Sequence, residues 1–303
     1  MHTRKIGSLN VSIVGLGCNN FGPRLDAKRT KEVVDAAIDA GINFFDTATL
    51  YGSGKSEEYL GKALKTLRSD VIIATKFGYA NEAPGTGAGA AYIRKAIEAS
   101  LKRLGTDYID LYQQHRPDSN VPIAETLGAL NQLVVEGKVR EIGCSYFDVP
   151  MLHDAAQASK SRGLAKYVSV QNEFSLFHQQ PRTDGVLEEC ERTGMAFLPY
   201  FPLANGLVTG KYRNGQPLPK GTRLSDVPTE QLDVVERLVA FAELRGATLL
   251  ELAFSWLLAH RPVASVIAGA TKPEQVRANA AAPTMVLNAG DISEISRIAH
   301  RER

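Results

Sequence analysis

Val71-Ile72-Ile73-Ala74-Thr75-Lys76-Phe77 is an almost unbroken apolar run of strand length that carries a lysine at its end. A helical stripe follows at Ile93, Ile97, Leu101 and Leu104, stopped by Gly105. Tyr108-Ile109-Asp110-Leu111-Tyr112-Gln113-Gln114-His115 then repeats the strand pattern. Neither run alternates strictly between apolar and polar, which is the pattern of a strand covered on both faces in a parallel sheet. The stretch predicts a strand–helix–strand unit whose two strands end in a lysine and a histidine.

The same unit recurs in both directions. Strands are predicted at residues 12–18, 43–48, 71–77, 108–115, 139–145, 167–172, 196–202 and 263–270. Amphipathic stripes lie between them, such as Val33, Val34, Ala37 and Ile38 before Gly41, or Leu60, Ala63, Leu64 and Leu67 after the acidic Glu57 and Glu58. Another helix is expected from Pro122 to Gly137, with the proline at its start and the glycine at its stop. Eight such units without a break in composition predict one α/β domain over residues 1–303, a (β/α)8 TIM barrel. Residues 3–10, with Gly7-Ser8 between short β-prone pieces, predict an N-terminal β-hairpin closing the barrel floor. The competing open doubly wound sheet needs a dinucleotide fingerprint after an early strand. Gly15-Leu16-Gly17-Cys18-Asn19-Asn20 lacks its third glycine. Two long connections, 78–90 and 203–228, follow strands and are expected to be binding loops at the barrel mouth.

Composition narrows the function classes. Lys+Arg 35 against Asp+Glu 33 gives no reason to expect nucleic acid or an acidic membrane surface as partner. No run of about 18 apolar residues and no signal-peptide core are present in the sequence, so a cytoplasmic protein is expected. Cys18, Cys144 and Cys190 have neither CxxC spacing nor metal-ligand neighbours, so they read as packing and no metal site is expected.

In a parallel barrel the carboxyl ends of all strands meet at one rim. Asp46 ends one predicted strand, with Tyr51 just beyond it, while Lys76 and His115 end the next two. An acid, a phenol, an ammonium and an imidazole thus converge. The phenol, with an ordinary pKa of about 10, is a poor acid until a nearby ammonium favours its ionised form. Asp46 would keep Lys76 charged, and His115 would orient a carbonyl oxygen beside the Tyr51 hydroxyl. This set suits carbonyl reduction, with the hydride drawn from a cofactor because no side chain supplies one.

These motifs resemble the aldo-keto reductase family over essentially the whole chain. Asp46-Thr47-Ala48-Thr49-Leu50-Tyr51-Gly52 is similar to its D-T-A-x-x-Y-G motif, and Lys76 and His115 match the rest of its catalytic tetrad. Gly105-Thr106-Asp107-Tyr108-Ile109-Asp110-Leu111 resembles its approach to the histidine. The resemblance implies NADPH across the mouth, with Ser145 and Gln171 at the carboxamide and Tyr200 stacked on the nicotinamide. Tyr146 stands where the family usually has asparagine, and Phe201 where serine is common. Leu203, Gly206 and Lys211 fall in a segment similar to the family's pyrophosphate loop. Gly269, Lys272, Gln275 and Asn279 fall in one resembling its adenosine-phosphate segment, with Lys272 at the 2′-phosphate; NADPH is therefore expected ahead of NADH.

Two other readings remain at this point. A strand-end lysine also fits a Schiff-base aldolase with Lys76 as nucleophile, and the fold also fits a nicotinamide-binding regulatory subunit with little turnover. The substrate is expected to be a small carbonyl compound. Phe21, Tyr79, Tyr146 and Phe147 are expected to form an aromatic wall that favours apolar or sugar-like aldehydes and ketones.

Overall fold

The computed structural model describes residues 1–79, 87–218 and 223–299; the middle of both long loops, residues 80–86 and 219–222, lies outside the described residues. Strands β1 (Thr3–Ile6) and β2 (Leu9–Ser12) pair antiparallel as the predicted hairpin. Gly7 turns it at φ 55°, a left-handed backbone that glycine takes without strain, and an added Cβ would press on the Glu141 carboxylate at 2.6 Å. Eight parallel strands follow: β3 (Val14–Gly17), β4 (Phe44–Asp46), β5 (Ile72–Phe77), β6 (Ile109–Gln114), β7 (Val139–Ser145), β8 (Tyr167–Glu173), β9 (Ala196–Tyr200) and β10 (Val266–Gly269). They join in chain order, β10 returns to β3, and a parallel bridge from Phe197 to Val263 draws β9 towards the segment before β10. Helices lie between the strands, among them α1 (Ala27–Asp39), α2 (Lys55–Leu64), α3 (Ala90–Leu104) and α4 (Ile123–Val135).

The last strand begins later than residue 263. Val263 and Ala264 serve the closure instead, Ala264 N–H donating to the Phe197 carbonyl at 3.0 Å. The first barrel strand likewise starts at Val14, because the hairpin extends through Ser12.

Burial on both faces hides an in–out alternation that the apolar runs do not display. Ile72 and Ala74 pack inside the barrel with Phe44, Leu111, Leu198 and Ile267, whereas Ile73 and Phe77 pack outward against the helical layer. Ile6, Leu9 and Val11 of the hairpin join the inner group, so the hairpin is a hydrophobic plug in the floor. Arg4 fastens it by donating to the carbonyls of Val263 and Leu258 at 2.5 and 2.8 Å. The interior is therefore closed below and available for polar side chains only above. Among the described residues, no helix is long and apolar enough to cross a membrane.

Leu9 is 1% exposed at the centre of this plug. Leu9→Ala should cost about 2–5 kcal/mol, the range for a buried leucine truncation. A urea titration would register this as a lower midpoint at an unchanged slope, and an unchanged midpoint would contradict the role given to the plug.

Candidate active site

The parity that sends Ala74 inward also sends Lys76 inward, two residues further up β5. Its ammonium is 0% exposed and lies 2.5 Å from Asp46 Oδ2 at the end of β4, while a second donor contact reaches the Thr47 carbonyl at 2.9 Å. The other Asp46 oxygen accepts from two side-chain amides, Gln171 Nε2 at 3.0 Å and Gln113 Nε2 at 3.2 Å. Burial alone would depress the Lys76 pKa, but Asp46 and then Tyr51 outweigh it and the net direction is upward. The amine is a fixed cation.

Tyr51 is carried by a tight turn after β4. Gly52 adopts φ 59° there, and a Cβ on it would meet Pro23 Cδ at 3.0 Å and the Phe21 carbonyl at 3.1 Å. The motif glycine thus lets the turn nest against the loop after β3. Lys76 Nζ lies 5.1 Å from the Tyr51 ring centroid, and the Tyr51 and His115 rings meet edge-on at 6.3 Å. Burial is the largest influence on Tyr51 and raises its pKa, with the Lys76 charge opposing and Asp46 adding to the rise. This corrects the expectation from sequence. Desolvation outweighs the ammonium, and Tyr51 is a protonated phenol at neutral pH.

His115 shows the opposite displacement. Burial first, then the Lys76 and Arg116 charges, lower its pKa to about 3, so the imidazole is neutral. Its Nδ1 is buried and has no partner among the described residues.

These groups meet at the floor of a cavity of about 710 Å³, within the range of about 300–1,000 Å³ typical of ligand sites. Asp46, Tyr51, His115, Ser145, Gln171, Tyr200, Leu203, Gly206, Lys211, Gly269, Lys272, Gln275 and Asn279 all border it. Lys76 lies beneath, reached through Asp46 and Tyr51. Ser145 donates to the Gln171 carbonyl at 2.6 Å. Thr271 N–H donates to Gln275 Oε1 at 2.7 Å, tying the segment after β10 to the first turn of the helix Pro273–Ala281. Lys272 caps the start of that helix, 61% exposed and 3.7 Å from Glu274.

The aromatic wall differs from expectation. Tyr79 and Tyr146 border the cavity, but Phe21 and Phe147 are 0% and 3% exposed and pack in the outer core. Both lie just past a strand end, where a chain turning back towards its helix buries the side chain. Tyr146 has φ 62°, its ring lies 5.2 Å from Tyr200, and the Arg116 guanidinium carbon stands 3.2 Å above its face. The described parts of both long loops reach the mouth: Tyr79 lies 5.0 Å from His115, and Arg223 donates to Asn19 Oδ1 and Asn20 Oδ1 at 3.1 and 3.0 Å.

Asn19, Asn20, Arg24 and Arg223 border the cavity without having been singled out from sequence. The asparagines follow directly after the first barrel strand, where the sequence marks only the spacing of Gly15 and Gly17. The arginines sit in loops without periodicity or motif. With Lys211 and Lys272 they make four cations around the cavity, and Asp46 is the only acid among its described lining residues.

Comparison with known proteins agrees with this geometry. The family model described as the Aldo/keto reductase family matches residues 13–300. An aldo-keto reductase of Schizosaccharomyces pombe, yakc, whose name specifies NADP(+), is 32% identical over 97% of this chain and 90% of its own. A probable voltage-gated potassium channel subunit beta of Arabidopsis thaliana is 32% identical over 89% of this chain and 87% of its own. The solved structure of a glycerol dehydrogenase from Gluconobacter oxydans superposes with TM-score 0.84 at 30% identity, covering 98% of this chain and 94% of that one. The chain belongs to the aldo-keto reductase family, a family of carbonyl oxidoreductases built on (β/α)8 barrels.

The depressed His115 pKa has a consequence for stability. With an ordinary value of 6.5 in the unfolded chain and about 3 in the fold, the unfolded state binds the extra proton between these values. The neutral ring's contribution is complete above pH 6.5 and lost as pH falls towards 3. His115→Gln should accordingly lose less stability than the parent between pH 7 and pH 4, measured as denaturation midpoints in matched buffers. Parallel losses would contradict a neutral buried imidazole.

Proposed function

We propose that the protein is an NADPH-dependent reductase of small aldehydes or ketones, carried by a single barrel domain over residues 1–303. The observation that carries this reading is the buried Lys76–Asp46 pair beneath a protonated Tyr51 and a neutral His115, in a cavity whose other described charged lining residues are all cations. The donor set fits a dinucleotide. Lys211, Arg24 and Arg223 suit the pyrophosphate, while Lys272 at a helix start suits a 2′-phosphate. Leu203 and Gly206 would lie along the pyrophosphate, with Gly269, Gln275 and Asn279 at the adenosine end. Ser145 and Gln171 would meet the carboxamide, and Tyr200 would offer its ring to the nicotinamide face. When bound, the nicotinamide supplies the hydride.

The chain's own residues do the rest. Neutral His115 donates a hydrogen bond to the substrate oxygen and orients it towards Tyr51. The phenol passes its proton to that oxygen as the carbonyl carbon gains hydride, giving the alcohol. The Lys76 ammonium steadies the phenolate left behind, and Asp46 holds the ammonium in place. The Schiff-base reading needs a neutral, accessible amine, which a fully buried cation held 2.5 Å from a carboxylate does not offer. The channel-subunit relative supports a second reading, a nicotinamide-binding regulatory subunit. Steady-state NADPH oxidation with aldehydes, ketones, keto-sugars and quinones separates the two, and no turnover with any of them defeats the enzyme reading. A soluble cytoplasmic location accompanies the proposal.

Tyr51→Phe should lower kcat at least about 10²-fold, the lower end for general-acid catalysis, with NADPH affinity nearly unchanged. Turnover at the parent rate would refute the tyrosine's role. Lys272→Glu should weaken NADPH by about 1 kcal/mol, a modest value because the side chain is solvent-screened, and spare NADH. Titration of protein fluorescence with each nucleotide checks this, equal losses counting against a 2′-phosphate contact.

A further inference from the structure

We propose that Gln113, two residues before His115 on β6, is a positioning residue for the Tyr51 proton donor, acting through Asp46 and Lys76. The inference rests on the reductase reading above. Asp46 has two oxygens and two tasks. Oδ2 must face Lys76, so Oδ1 has to be held if the carboxylate is not to rotate. Two amides hold it, Gln113 and Gln171. Gln171 also borders the cavity and is the amide proposed to meet the nicotinamide, so its grip on Asp46 is shared with the cofactor. Gln113 does not border the cavity and is 0% exposed; its amide hydrogens serve Asp46 and nothing else among the described residues.

Packing alone does not account for this amide. Its Oε1 is buried without a partner among the described residues, a desolvated acceptor that a leucine of similar volume would not carry. The neighbouring strand is bare beside it. Gly143 on β7 has no side chain where a Cβ would come within 3.3 Å of Gln113 Cγ and 2.4 Å of Ser169 Oγ. The barrel thus carries an orphaned acceptor beside the N–H placed against the oxygen of Asp46 that faces away from Lys76. Loosening that oxygen frees the carboxylate to swing, weakens the hold on the ammonium, and leaves Tyr51 less assisted in giving up its proton.

Gln113→Leu and Gln113→Glu are compared with the parent in NADPH-dependent carbonyl reduction. In the same proteins the Tyr51 phenol is titrated by ultraviolet difference spectroscopy, referenced to Tyr51→Phe. The leucine variant should lose about tenfold in kcat, the lower end for a lost hydrogen bond to a charged group, with KM for NADPH unchanged. Its Tyr51 should ionise at higher pH than in the parent. In Gln113→Glu the new carboxyl, pressed against Asp46, keeps its proton and donates O–H in place of N–H. Activity should therefore stay near the parent's at low pH and fall towards the leucine variant's as pH rises. Parental kcat with an unshifted Tyr51 titration in the leucine variant overturns the proposal. So does a loss of the same size in both variants at every pH, which marks a packing role. Should the leucine variant not fold, the glutamate variant decides alone, a pH-independent ratio to the parent being the contrary result. A parent without turnover defeats the reductase reading, and the phenol titration still decides the role of Gln113.

Discussion

A lysine ammonium with no solvent exposure has to be neutralised where it sits, and the upper half of this barrel is arranged around that requirement. Removing a charge from water costs several kcal/mol even after relaxation, and a single counter-ion offsets this only with good geometry and further hydrogen bonds. Both conditions are met. Lys76 has a carboxylate at 2.5 Å and a carbonyl at 2.9 Å, and the carboxylate is in turn held by two amides on its far oxygen. The acceptor Asp46 ends β4 and its three donors come from β5, β6 and β8, so the pair exists only when the barrel is formed. Fold and site are coupled through this desolvated charge, and the Tyr51 phenol above it shares both its burial and its ammonium neighbour.

The cavity over this floor has two chemically different sides. Towards β10 and the loop after β9 the lining is cationic and rich in backbone turns, with Gly206 at φ 97° beside Lys211 and helix Pro273–Ala281 opening towards the space. Towards β6 and β7 it is aromatic, with Tyr79, Tyr146 and Tyr200 gathered near one guanidinium, Arg116. Phosphate recognition asks for amides and cations whose placement is set by the strand ends and helix starts of the fold. Recognition of a small organic group asks for shape, which loops supply.

That division explains what could be read from the sequence. Strand runs, helical stripes and their glycine stops follow local periodicity, so the barrel, the hairpin and the polar strand ends were legible, as were Asp46, Tyr51, Lys76 and His115. Interactions between strands distant in the chain were not. Gln113 and Gln171 are 58 residues apart by number yet share one oxygen, and nothing local marks either as a partner of Asp46. The net direction of the Tyr51 shift is not legible for a similar reason, because the ammonium that lowers it can be counted from sequence whereas the burial that outweighs it cannot. Phe21 and Phe147 failed as cavity residues because aromatic identity says nothing of which way a loop residue turns, and the cationic Arg24 and Arg223 lie in segments without any period.

Both departures from the family pattern fall at left-handed backbone positions. Tyr146 has φ 62° and Phe201 φ 48°, whereas asparagine, the usual residue at the first, enters this region more readily through its short polar side chain. A bulky side chain there costs roughly 1–2 kcal/mol. At Tyr146 the cost has visible offsets. The backbone N–H donates to Asn172 Oδ1 at 2.7 Å, and Arg116 covers the ring face at 3.2 Å, a contact worth about 0.5–2 kcal/mol. An asparagine would need no such cover and would present no ring to Tyr200. The strain is thus retained together with the arginine that compensates it, and the two form a unit at the end of the cavity nearest His115. Phe201, 38% exposed, meets the edge of Tyr200 at 5.2 Å and has no cation over its ring among the described residues, so the strain there lacks the offset seen at Tyr146.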